Sequence, residues 1–557
     1  MKYAFSRGLT TVAIAASLVT VSSCNLDRQP LFEPGSEEVF QDFANYKPAL
    51  AKIYAGLAIS GQQGPSGRPD ITGLDEGFTN YLRGYWKAQE LTTDEAIIGW
   101  ADGNLPAYQN MNWTSGNEFI RAMYDRIFYQ IGLCNEFLRQ TTDAKLSERG
   151  ISDADKQTVK AYRAEARFMR ALSYWHALDM FGNVPFVTEA DAVGATPPPQ
   201  YSRTRLFNFV ESELLAIDGD LIAPRQNEYG RADKAAAWTL LAKLYLNSVV
   251  YTGVGATPGT PRYDKCITYC DKVIGAGYVL QTTKTSIFPA YARNFLADNN
   301  TSPEFIFTTN FDGVRTQGYG GTTFIIHAAV GGRRMKPGEQ FGISSGGWAG
   351  TRAKKNLPLL FPDTTQACPD KRFLFYTNGQ RLEITAVDNF NHGFAVKKFR
   401  NVLSTPTSTG ALQPGQDASG TFTDTDWPVF RLADVNLMYA EATIQGGAGG
   451  DRGKALRLLN DIRNRAYGNT AGVTTGNITD AAMNMQYIQD ERARELYWEG
   501  YRRTDLIRFG KFTSGSYVWP YKGNTPAGQG VDAKFNLFPI PITDMSANPN
   551  LVQNQGY

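Results

Sequence analysis

Three aromatic residues stand in glycine-rich, irregular segments of the sequence rather than in helical stripes. Trp100 lies in DEAIIGWADGN, Tyr319 in QGYGGTT and Trp348 in SGGWAGT. Glycine neighbours let another molecule approach a ring closely, and flat aromatic faces suit the apolar C–H faces of sugar rings. The three residues therefore predict a carbohydrate-binding surface. The alternative is that each ring anchors its loop in the core.

Acidic residues that could hydrolyse a glycan cluster in one irregular region, at Asp70, Asp75, Glu76, Asp94 and Glu95. A glycosidase needs two opposed carboxylates, and spacing along the chain does not pair these five. The sequence has no HExxH motif and no Walker loop. Because acidic loop residues are more often solvated or cap helices, the sequence favours a binding protein over an enzyme.

The cysteines give little sign of metal or disulfide chemistry. Apart from Cys24, they are Cys134, Cys266, Cys270 and Cys368, too few for a disulfide scaffold. Cys266 and Cys270 are four residues apart on one face of a predicted helix. A zinc site would need two further ligands, and none of the three histidines lies nearby in sequence. We expect these cysteines to be small core residues.

The N-terminus, MKYAFSRGLTTVAIAASLVTVSSC, has the layout of an export signal. Lys2 and Arg7 precede an apolar stretch at positions 9–21, which is too short to span a bilayer comfortably. The ending VSSC resembles the lipobox of bacterial lipoproteins, in which cleavage precedes the cysteine and its sulfur is lipidated. We therefore expect residues 1–23 to be removed and Cys24 to carry the lipid; plain secretion is the alternative.

The charge balance restricts the partners. The chain has 56 Lys and Arg against 54 Asp and Glu, and positions 1–23 hold two basic and no acidic residues, so their removal leaves 54 of each. A formally neutral protein has no general attraction to phosphate backbones, so we expect no nucleic-acid partner. At 557 residues and 42% hydrophobic, the chain is long enough to bury a large core.

Apolar residues recur at helical spacing in several blocks of the chain. The blocks are 121–139, 157–181, 203–218, 232–251, 263–275, 433–445, 452–466 and 484–500. Two of them share an Ala-rich start, AEARFMRALSYW and AAAWTLLAKLYL, which is typical of closely packed helical hairpins of the tetratricopeptide type. The mixed charges of DERARELYWEGYRRTDLIRFG fit i, i+4 pairing and contact with neighbouring helices. The predicted fold is mostly α, with loop-rich insertions and a few short strands.

Two long stretches differ from these helical blocks in composition and periodicity. Residues 60–118 and 281–430 are rich in Gly, Thr, Asn and aromatics and show few helical periods. Long irregular segments in a compact protein commonly carry function, because a rigid scaffold presents them. We expect one domain over 24–557, in which these stretches form a binding face on a helical scaffold at about 40–60, 119–280 and 431–510.

Several separated stretches carry a resemblance to a known family. They are RAEARFMRALSYWHALDMFGNVPFV (163–187), YGRADKAAA (229–237), DTDWPVFRLADVNLMYAEA (424–442), ERARELYWEGYRRTDLIRFG (491–510) and FPIPITDMSANPNLVQNQGY (538–557). Together with the lipobox, and in this order, they resemble the SusD/RagB family of outer-membrane lipoproteins from Bacteroidetes glycan-uptake systems. The resemblance covers essentially the whole mature chain.

The resemblance implies a scaffold of four tetratricopeptide-like units and a loop-rich, sugar-binding face. It implies a partner, a SusC-like TonB-dependent outer-membrane transporter over which the lipoprotein sits as a hinged lid. Family members bind their ligands and do not cleave them, so no enzymatic activity is expected. A related branch of the family serves peptide import, which leaves peptides as an alternative ligand.

Three loops, GQQGPSGRPDITGLDEG, ELTTDEAIIGW and DGVRTQGYGGTTF, resemble the binding face of the family's starch-binding founding member. There, an arc of three aromatics cups a helical α-glucan, and an arginine and an asparagine bind sugar hydroxyls. By position the arc falls on Trp100, Tyr319 and Trp348, and the arginine on Arg83. The asparagine position falls on Gly103, so Asn104 beside it is expected, with Arg83, to bind sugar hydroxyls. The longer segment between Tyr319 and Trp348 leaves levan, xylan and pectic glycans as alternatives to starch.

A calcium site is another property that the resemblance implies. Asp298, Glu304 and Asp426 lie in ADNNTSPE and DTDWP, stretches that resemble a metal-binding region of the family. Hard oxygen ligands suit calcium. The alternative is that these are solvated loop acids. No other cofactor is expected.

Overall fold

The computed structural model describes residues 35–557 except positions 76, 78, 195, 256 and 345. Cys24 and the predicted boundary after residue 23 lie outside the described residues. Within the described part of the chain, no helix combines the length and the apolarity needed to cross a membrane.

The structure is mostly helical, as predicted. Its α-helices, in chain order, are α1 (Ser36–Val39), α2 (Tyr46–Ala58), α3 (Tyr81–Trp86), α4 (Pro106–Asn110), α5 (Glu118–Gln140), α6 (Asp143–Glu148), α7 (Asp153–Met180), α8 (Arg203–Ala216), α9 (Lys234–Leu246), α10 (Ser248–Tyr251), α11 (Tyr263–Ile274), α12 (Gly321–Ala328), α13 (Leu432–Ile444), α14 (Arg452–Tyr467), α15 (Met485–Leu496), α16 (Arg502–Arg508) and α17 (Ile542–Ala547). A π-helical turn at Lys87–Leu91 continues α3.

The strands are short and pair two by two in antiparallel fashion. They are β1 (Ala96–Ile98) with β5 (Thr351–Ala353), β2 (Val184–Pro185) with β3 (Gln200–Tyr201), β4 (Phe305–Thr309) with β8 (Trp427–Arg431), and β6 (Phe375–Tyr376) with β7 (Ala395–Val396). Three of these pairs join segments that are far apart in sequence or lie inside the loop-rich stretches. They therefore fix irregular segments to the scaffold without forming a large sheet.

The chain divides into two compact units, Met1–Tyr46 and Lys47–Tyr557. The described part of the first unit holds α1 and a 3₁₀ turn at Phe43–Asn45, and Tyr46 packs edge-on against Phe40 at a ring-centroid distance of 5.2 Å.

Helices of the second unit pack against their neighbours in chain order. The pairs α5 and α7, α7 and α8, α9 and α11, α11 and α13, and α13 and α14 are in contact. The Ala-rich starts predicted from the sequence lie in α7 and at the beginning of α9, where Ala166, Ala171, Ala236 and Ala237 are buried. Small side chains allow helix axes to approach closely, so the helical-hairpin scaffold is confirmed.

Helix bounds follow the predicted blocks closely, because capping residues stand where the apolar periods begin. Asn117, Ser152, Ser202 and Asp233 each accept a backbone N–H of the first turn of α5, α7, α8 and α9. The predicted helix 484–500 is wrong in its last turn, since α15 ends at Leu496. Trp498 adopts a positive φ of 67°, which reverses the chain before α16 begins.

A set of inaccessible charged side chains, here called the ionic core, lies where β8, α14 and α15 meet. It consists of Glu304, Asp370, Arg372, Lys398, Arg431, Arg465, Glu491, Glu495 and Glu499. Arg431 bonds Glu304 at 2.8 Å, Glu495 at 2.6 Å and Glu499 at 2.6 Å. The charges of the 490–510 segment are predicted to pair at i, i+4 and to contact neighbouring helices. Many of them bond partners far away in sequence, because their helix is buried.

The cysteines have the role expected of them. Cys134, Cys266, Cys270 and Cys368 are free thiols and all are buried. The Sγ atoms of Cys266 and Cys270 are 4.0 Å apart on α11. They pack as small core residues.

Candidate functional site

Four of the residues singled out in the sequence line one open cleft of about 410 Å³, together with Asp102. They are Arg83, Trp100, Tyr319 and Trp348. These residues come from three separate parts of the chain, so the fold itself assembles the cleft.

The pairing of β1 with β5 brings two of the aromatics together. Ile98 lies opposite Thr351, and the Gly99 amide donates to the Gly350 carbonyl at 2.9 Å. Trp100 follows β1 and Trp348 precedes β5, so their rings meet with centroids 6.4 Å apart at 49°. The Trp100 indole N–H donates to the Trp348 carbonyl at 3.1 Å, which fixes the orientation of Trp100.

Tyr319 completes the arc from the turn before α12. Its ring lies 6.4 Å from that of Trp348, at 55°. Trp100, Tyr319 and Trp348 are all half-buried. The alternative reading, that the rings are plugged into the core, does not describe them, because each is anchored and still keeps accessible surface in the cleft.

Helix α12 supports the arc from below. His327 stacks under Trp348 with ring centroids 4.7 Å apart, and the Trp348 amide donates to the His327 carbonyl at 2.7 Å. Phe324 packs edge-on against Trp100 at 6.1 Å. Burial lowers the pKa of His327 to about 4, so the ring is neutral at pH 7 and behaves as a packing group.

Arg83 is held rigidly at the edge of the arc. Asn80 caps α3 by accepting the Arg83 amide, and the Arg83 Nη1 donates to the carbonyls of Gly77 at 3.0 Å and Tyr319 at 2.9 Å. The guanidinium carbon lies 4.5 Å from the centre of the Phe324 ring. Burial lowers the pKa of Arg83 to about 10, so it remains charged at pH 7.

The structure does not bring Asn104 into the lining of the cleft. Its Oδ1 accepts the Glu118 amide at 3.2 Å, and its carbonyl accepts the Asn117 side chain, so both help to start α5. Gly103 has a φ of +46°, and a Cβ there would meet Glu118 Oε1 at 1.9 Å. The neighbouring acid Asp102 lines the cleft instead.

The three predicted calcium ligands do not assemble. Glu304 lies in the ionic core; burial would raise its pKa, but Arg465 and Arg431 outweigh that effect and lower it to about 2. Asp298 accepts the amide and hydroxyl of Ser404, and burial raises the pKa of Asp426 to about 6. Among the described residues, no group of three or more His, Cys, Asp or Glu could hold a metal ion. Protein donors already occupy these carboxylates.

Of the acidic residues in the 70–95 region, Asp94 and Glu95 are buried, Asp70 is half-buried and Asp75 is exposed, and Glu76 lies outside the described residues. Asp94 forms a two-pronged pair with Arg502 at 2.8 and 2.7 Å, and it is buried. Asp70 pairs with Lys52 at 2.7 Å, and Asp75 Oδ1 accepts the Gly77 amide at 2.7 Å. Glu95 is buried beside Glu90.

A larger groove of about 1090 Å³ lies elsewhere, between the segment 279–290 and α14. Its lining includes Val279 and Ile287, which are 55% and 39% exposed, and Tyr467 from the end of α14. Three aromatic residues line it as well, Tyr278, Phe288 and Tyr467, but among the described residues no ring contact joins them into an arc.

Sequence reasoning missed Phe324, His327 and Asp102. Phe324 and His327 sit in the apolar run GTTFIIHA, which reads as ordinary core. Their place under the arc depends on contacts with residues before and after α12 in sequence. For Asp102, the sequence offers one indication of a place in the cleft, its position two residues after Trp100.

Comparison with known proteins places the chain in a family. A family model described as the SusD family matches residues 370–557. The starch-binding protein SusD of Bacteroides thetaiotaomicron is 34% identical over the whole of this chain and 99% of its own length. The chain belongs to the SusD family. A second relative, SusD-like protein P25 of Formosa agariphila, is 26% identical over 71% of this chain and 73% of its own.

Solved structures share the fold. A SusD superfamily protein from Bacteroides vulgatus superposes with a TM-score of 0.67 at 18% identity, covering 92% of this chain and 99% of that one. The surface glycan-binding protein A of Bacteroides fluxus gives 0.66 at 19% identity, with coverages of 92% and 99%. A laminarin-binding SusD-like protein gives 0.62 at 19% identity, again with 92% and 99%. The resemblance predicted from the sequence is confirmed.

Proposed function

We propose that this protein captures an oligosaccharide or polysaccharide, with a starch-like α-glucan as the first candidate. The observation that carries the proposal is the arc of Trp100, Tyr319 and Trp348 around one open cleft. Successive ring centroids are 6.4 Å apart and the planes are inclined by about 50° to each other. Three inclined faces suit a curved glycan better than a flat one. The starch-binding relative of 34% identity supports the same choice.

Arg83 contributes a fixed hydrogen-bond donor to this cleft. Two backbone carbonyls and the Phe324 ring immobilise its guanidinium, so little side-chain entropy is lost when a sugar hydroxyl binds. Affinity should still be modest, because each sugar hydroxyl gives up hydrogen bonds with water and the net gain per bond is small. The carbonyl and side-chain oxygens of Asn104 hold the start of α5, so its Nδ2 group is the part of this side chain that can donate to a sugar hydroxyl.

The protein is a receptor rather than an enzyme in this proposal. Among the described residues, Asp102 is the one acid in the lining of the cleft, so this part of the lining does not supply the opposed carboxylates that glycoside hydrolysis requires. The sequence GISSG at 342–346 has the spacing of a hydrolase nucleophile motif, but Ser344 lies in a loop between a π-helical turn and β5. Its hydroxyl donates to the Ser419 carbonyl, and the strand–turn–helix context of such a nucleophile is missing there.

Membership of the SusD family supports the rest of the proposal. The protein is anchored through lipidated Cys24 to the outer membrane and exposed at the cell surface. It delivers its glycan to a SusC-like TonB-dependent transporter in the same membrane. Replacing Cys24 with alanine should release the protein from the membrane; continued membrane association without the transporter would contradict the anchor.

Titration calorimetry tests the ligand and the site together. The protein is titrated with amylopectin, levan, xylan, pectic galactan and a mixed peptide pool, beside the double variant Trp100→Ala/Trp348→Ala. We expect amylopectin binding to weaken more than about 30-fold in the double variant. Tyr269→Ala, which removes a half-buried ring from α11, is the matched control and should bind normally.

Each other result changes the proposal in a defined way. Binding of a different glycan that is lost in the double variant would keep the site and discard starch. Glycan binding that survives both substitutions would remove the cleft from the proposal. Peptide binding alone would overturn the functional class.

A further inference from the structure

Asp102 lines the aromatic cleft but takes little part in building it. Its side chain is exposed, and within the described ranges no donor is bonded to its carboxylate. Only its backbone is engaged, through the carbonyl that accepts the Leu105 amide at 3.0 Å at the start of α4. As far as the described residues go, both carboxylate oxygens are therefore open to a ligand.

Other oxygen acceptors near this edge already have protein partners. Asp75 accepts the Gly77 amide at 2.7 Å, and Glu118 accepts the Asn104 amide at 3.4 Å. Asn104 Oδ1 in turn accepts the Glu118 amide. Among the described acceptors at this edge, the Asp102 carboxylate is the one with no protein donor on either oxygen.

An ionised carboxylate only accepts hydrogen bonds, and its two oxygens can take two O–H donors at once. Adjacent hydroxyls on a sugar ring supply such a pair, and hydrogen bonds to a charged acceptor are stronger than neutral ones. A uronate or phosphate group would bring a second negative charge to the same place. Like charges at this range repel.

The positive charge of Arg83 does not remove this preference for neutral over anionic sugars. Its Nη1 is shared between two backbone carbonyls, and its charge is already faced by the carboxylates of Asp75 and Asp102. Lys87 is a second cation here, and Asp75, Asp102 and Glu118 face these two cations, so an anionic substituent would bring a further negative charge to a place that already holds three described carboxylates.

We infer that Asp102 determines specificity in the cleft, accepting an adjacent pair of hydroxyls from a neutral glycan and excluding glycans that carry carboxylate or phosphate groups. The inference rests on the proposed glycan-binding function and narrows its substrate class. Among the candidate glycans, it removes uronate-rich pectins and retains neutral α-glucans.

The test compares two soluble ligands of similar length, maltoheptaose and oligogalacturonate, by titration calorimetry at pH 7 and low ionic strength. The variants are Asp102→Ala, Asp102→Asn and Trp348→Ala. Asp153→Asn serves as the matched control, because it removes a fully exposed acid from the start of α7. Circular dichroism checks that each variant is folded.

We expect Asp102→Ala to weaken maltoheptaose binding about tenfold. Asp102→Asn should weaken it about threefold and should strengthen oligogalacturonate binding about tenfold, because repulsion is removed. Asp153→Asn should match the unaltered protein for both ligands.

The outcomes distinguish a failure of the role inferred for Asp102 from a failure of the proposed glycan-binding function. If Trp348→Ala loses maltoheptaose while both Asp102 variants bind both ligands normally, the glycan site stands and the role of Asp102 is wrong. If the unaltered protein prefers oligogalacturonate, the role of Asp102 is also wrong. If the unaltered protein binds neither ligand nor any other glycan, the proposed function fails, and the inference fails with it.

Discussion

The ionic core and the aromatic cleft both contain arginine and carboxylate side chains, but these side chains pair with each other in the ionic core and keep accessible surface in the cleft. In the ionic core, Arg431 and Glu495 have no accessible side-chain surface, and each bonds several charged partners. In the cleft, Arg83 is fixed by backbone carbonyls, whereas Asp102 has no protein donor in the part of the chain that is described. A satisfied, inaccessible charge holds a fold together, and an unsatisfied, accessible one is available to a ligand.

The largest expected effect comes from breaking the ionic core. Arg431→Met leaves Glu304, Glu495 and Glu499 buried with fewer positive partners, so the free energy of unfolding should fall by about 3–5 kcal/mol. Denaturant unfolding followed by circular dichroism measures it. Lys47→Met is the control, since it removes a pair in which both side chains are more than half exposed, and it should cost less than about 1 kcal/mol.

If Arg431→Met is as stable as the control, the ionic core does not stabilise the fold in the way described. The comparison also predicts that any Arg431→Met protein that remains folded binds glycan with unchanged affinity. The ionic core contributes no side chain to the lining of the cleft.

The same region should make stability depend on pH. Arg465 and Arg431 hold the pKa of Glu304 at about 2 in the folded protein, below its usual range near 4 when unfolded. The stabilisation by this carboxylate is therefore present above about pH 4.5 and is lost as the pH falls towards 2, by at most about 3 kcal/mol.

Denaturant midpoints between pH 6 and pH 2 measure this loss for the unaltered protein and for Glu304→Gln. The fall in stability below pH 4.5 should be shallower in Glu304→Gln, because glutamine does not titrate. Identical pH profiles would mean that Glu304 is not held as an ion by its two arginines.

A smaller effect on stability and glycan affinity is expected when a single methyl group is added beside the cleft. A Cβ at Gly350 would lie 2.5 Å from Cζ2 of Trp100, whereas a Cβ at Gly346 meets nothing within 4 Å. Gly350→Ala should displace the Trp100 ring, cost about 1–3 kcal/mol of stability and weaken glycan binding about fivefold. Gly346→Ala, in the same loop, should change neither quantity, as measured by calorimetry and denaturant unfolding.

Equal affinities for the Gly350→Ala and Gly346→Ala proteins would show that the position of Trp100 is unimportant for binding. A loss of affinity only in Gly350→Ala would tie binding to the geometry of the arc.

The helical scaffold, the aromatic arc and the ionic core differ in how far the sequence predicts them. Local periodicity and caps such as Asn117 and Ser152 are visible along the chain, so α5 and α7 could be bounded to within a few residues. The aromatic arc was accessible through the family resemblance. The ionic core was not, because Arg431 and Glu304 are 127 residues apart.

Separation along the chain also explains why the partners of single acidic residues are hard to predict. Glu304 looks like a loop acid with oxygen to offer, and only the folded chain shows that Arg431 and Arg465 occupy it. Asp102 looks like an ordinary solvated acid in the sequence, and only the fold shows that it lines the same cleft as Trp348 and Tyr319. Contacts between residues that are far apart in sequence determine which charged side chains have protein partners and which remain open to a ligand.

The most direct test of the central claim is a crystal structure of the protein with maltoheptaose. We predict glucose rings lying over Trp100, Tyr319 and Trp348, with hydroxyls within hydrogen-bonding distance of Arg83 and Asp102. Ordered sugar in the larger groove beside Val279 and Ile287, with the aromatic cleft empty, would contradict the account.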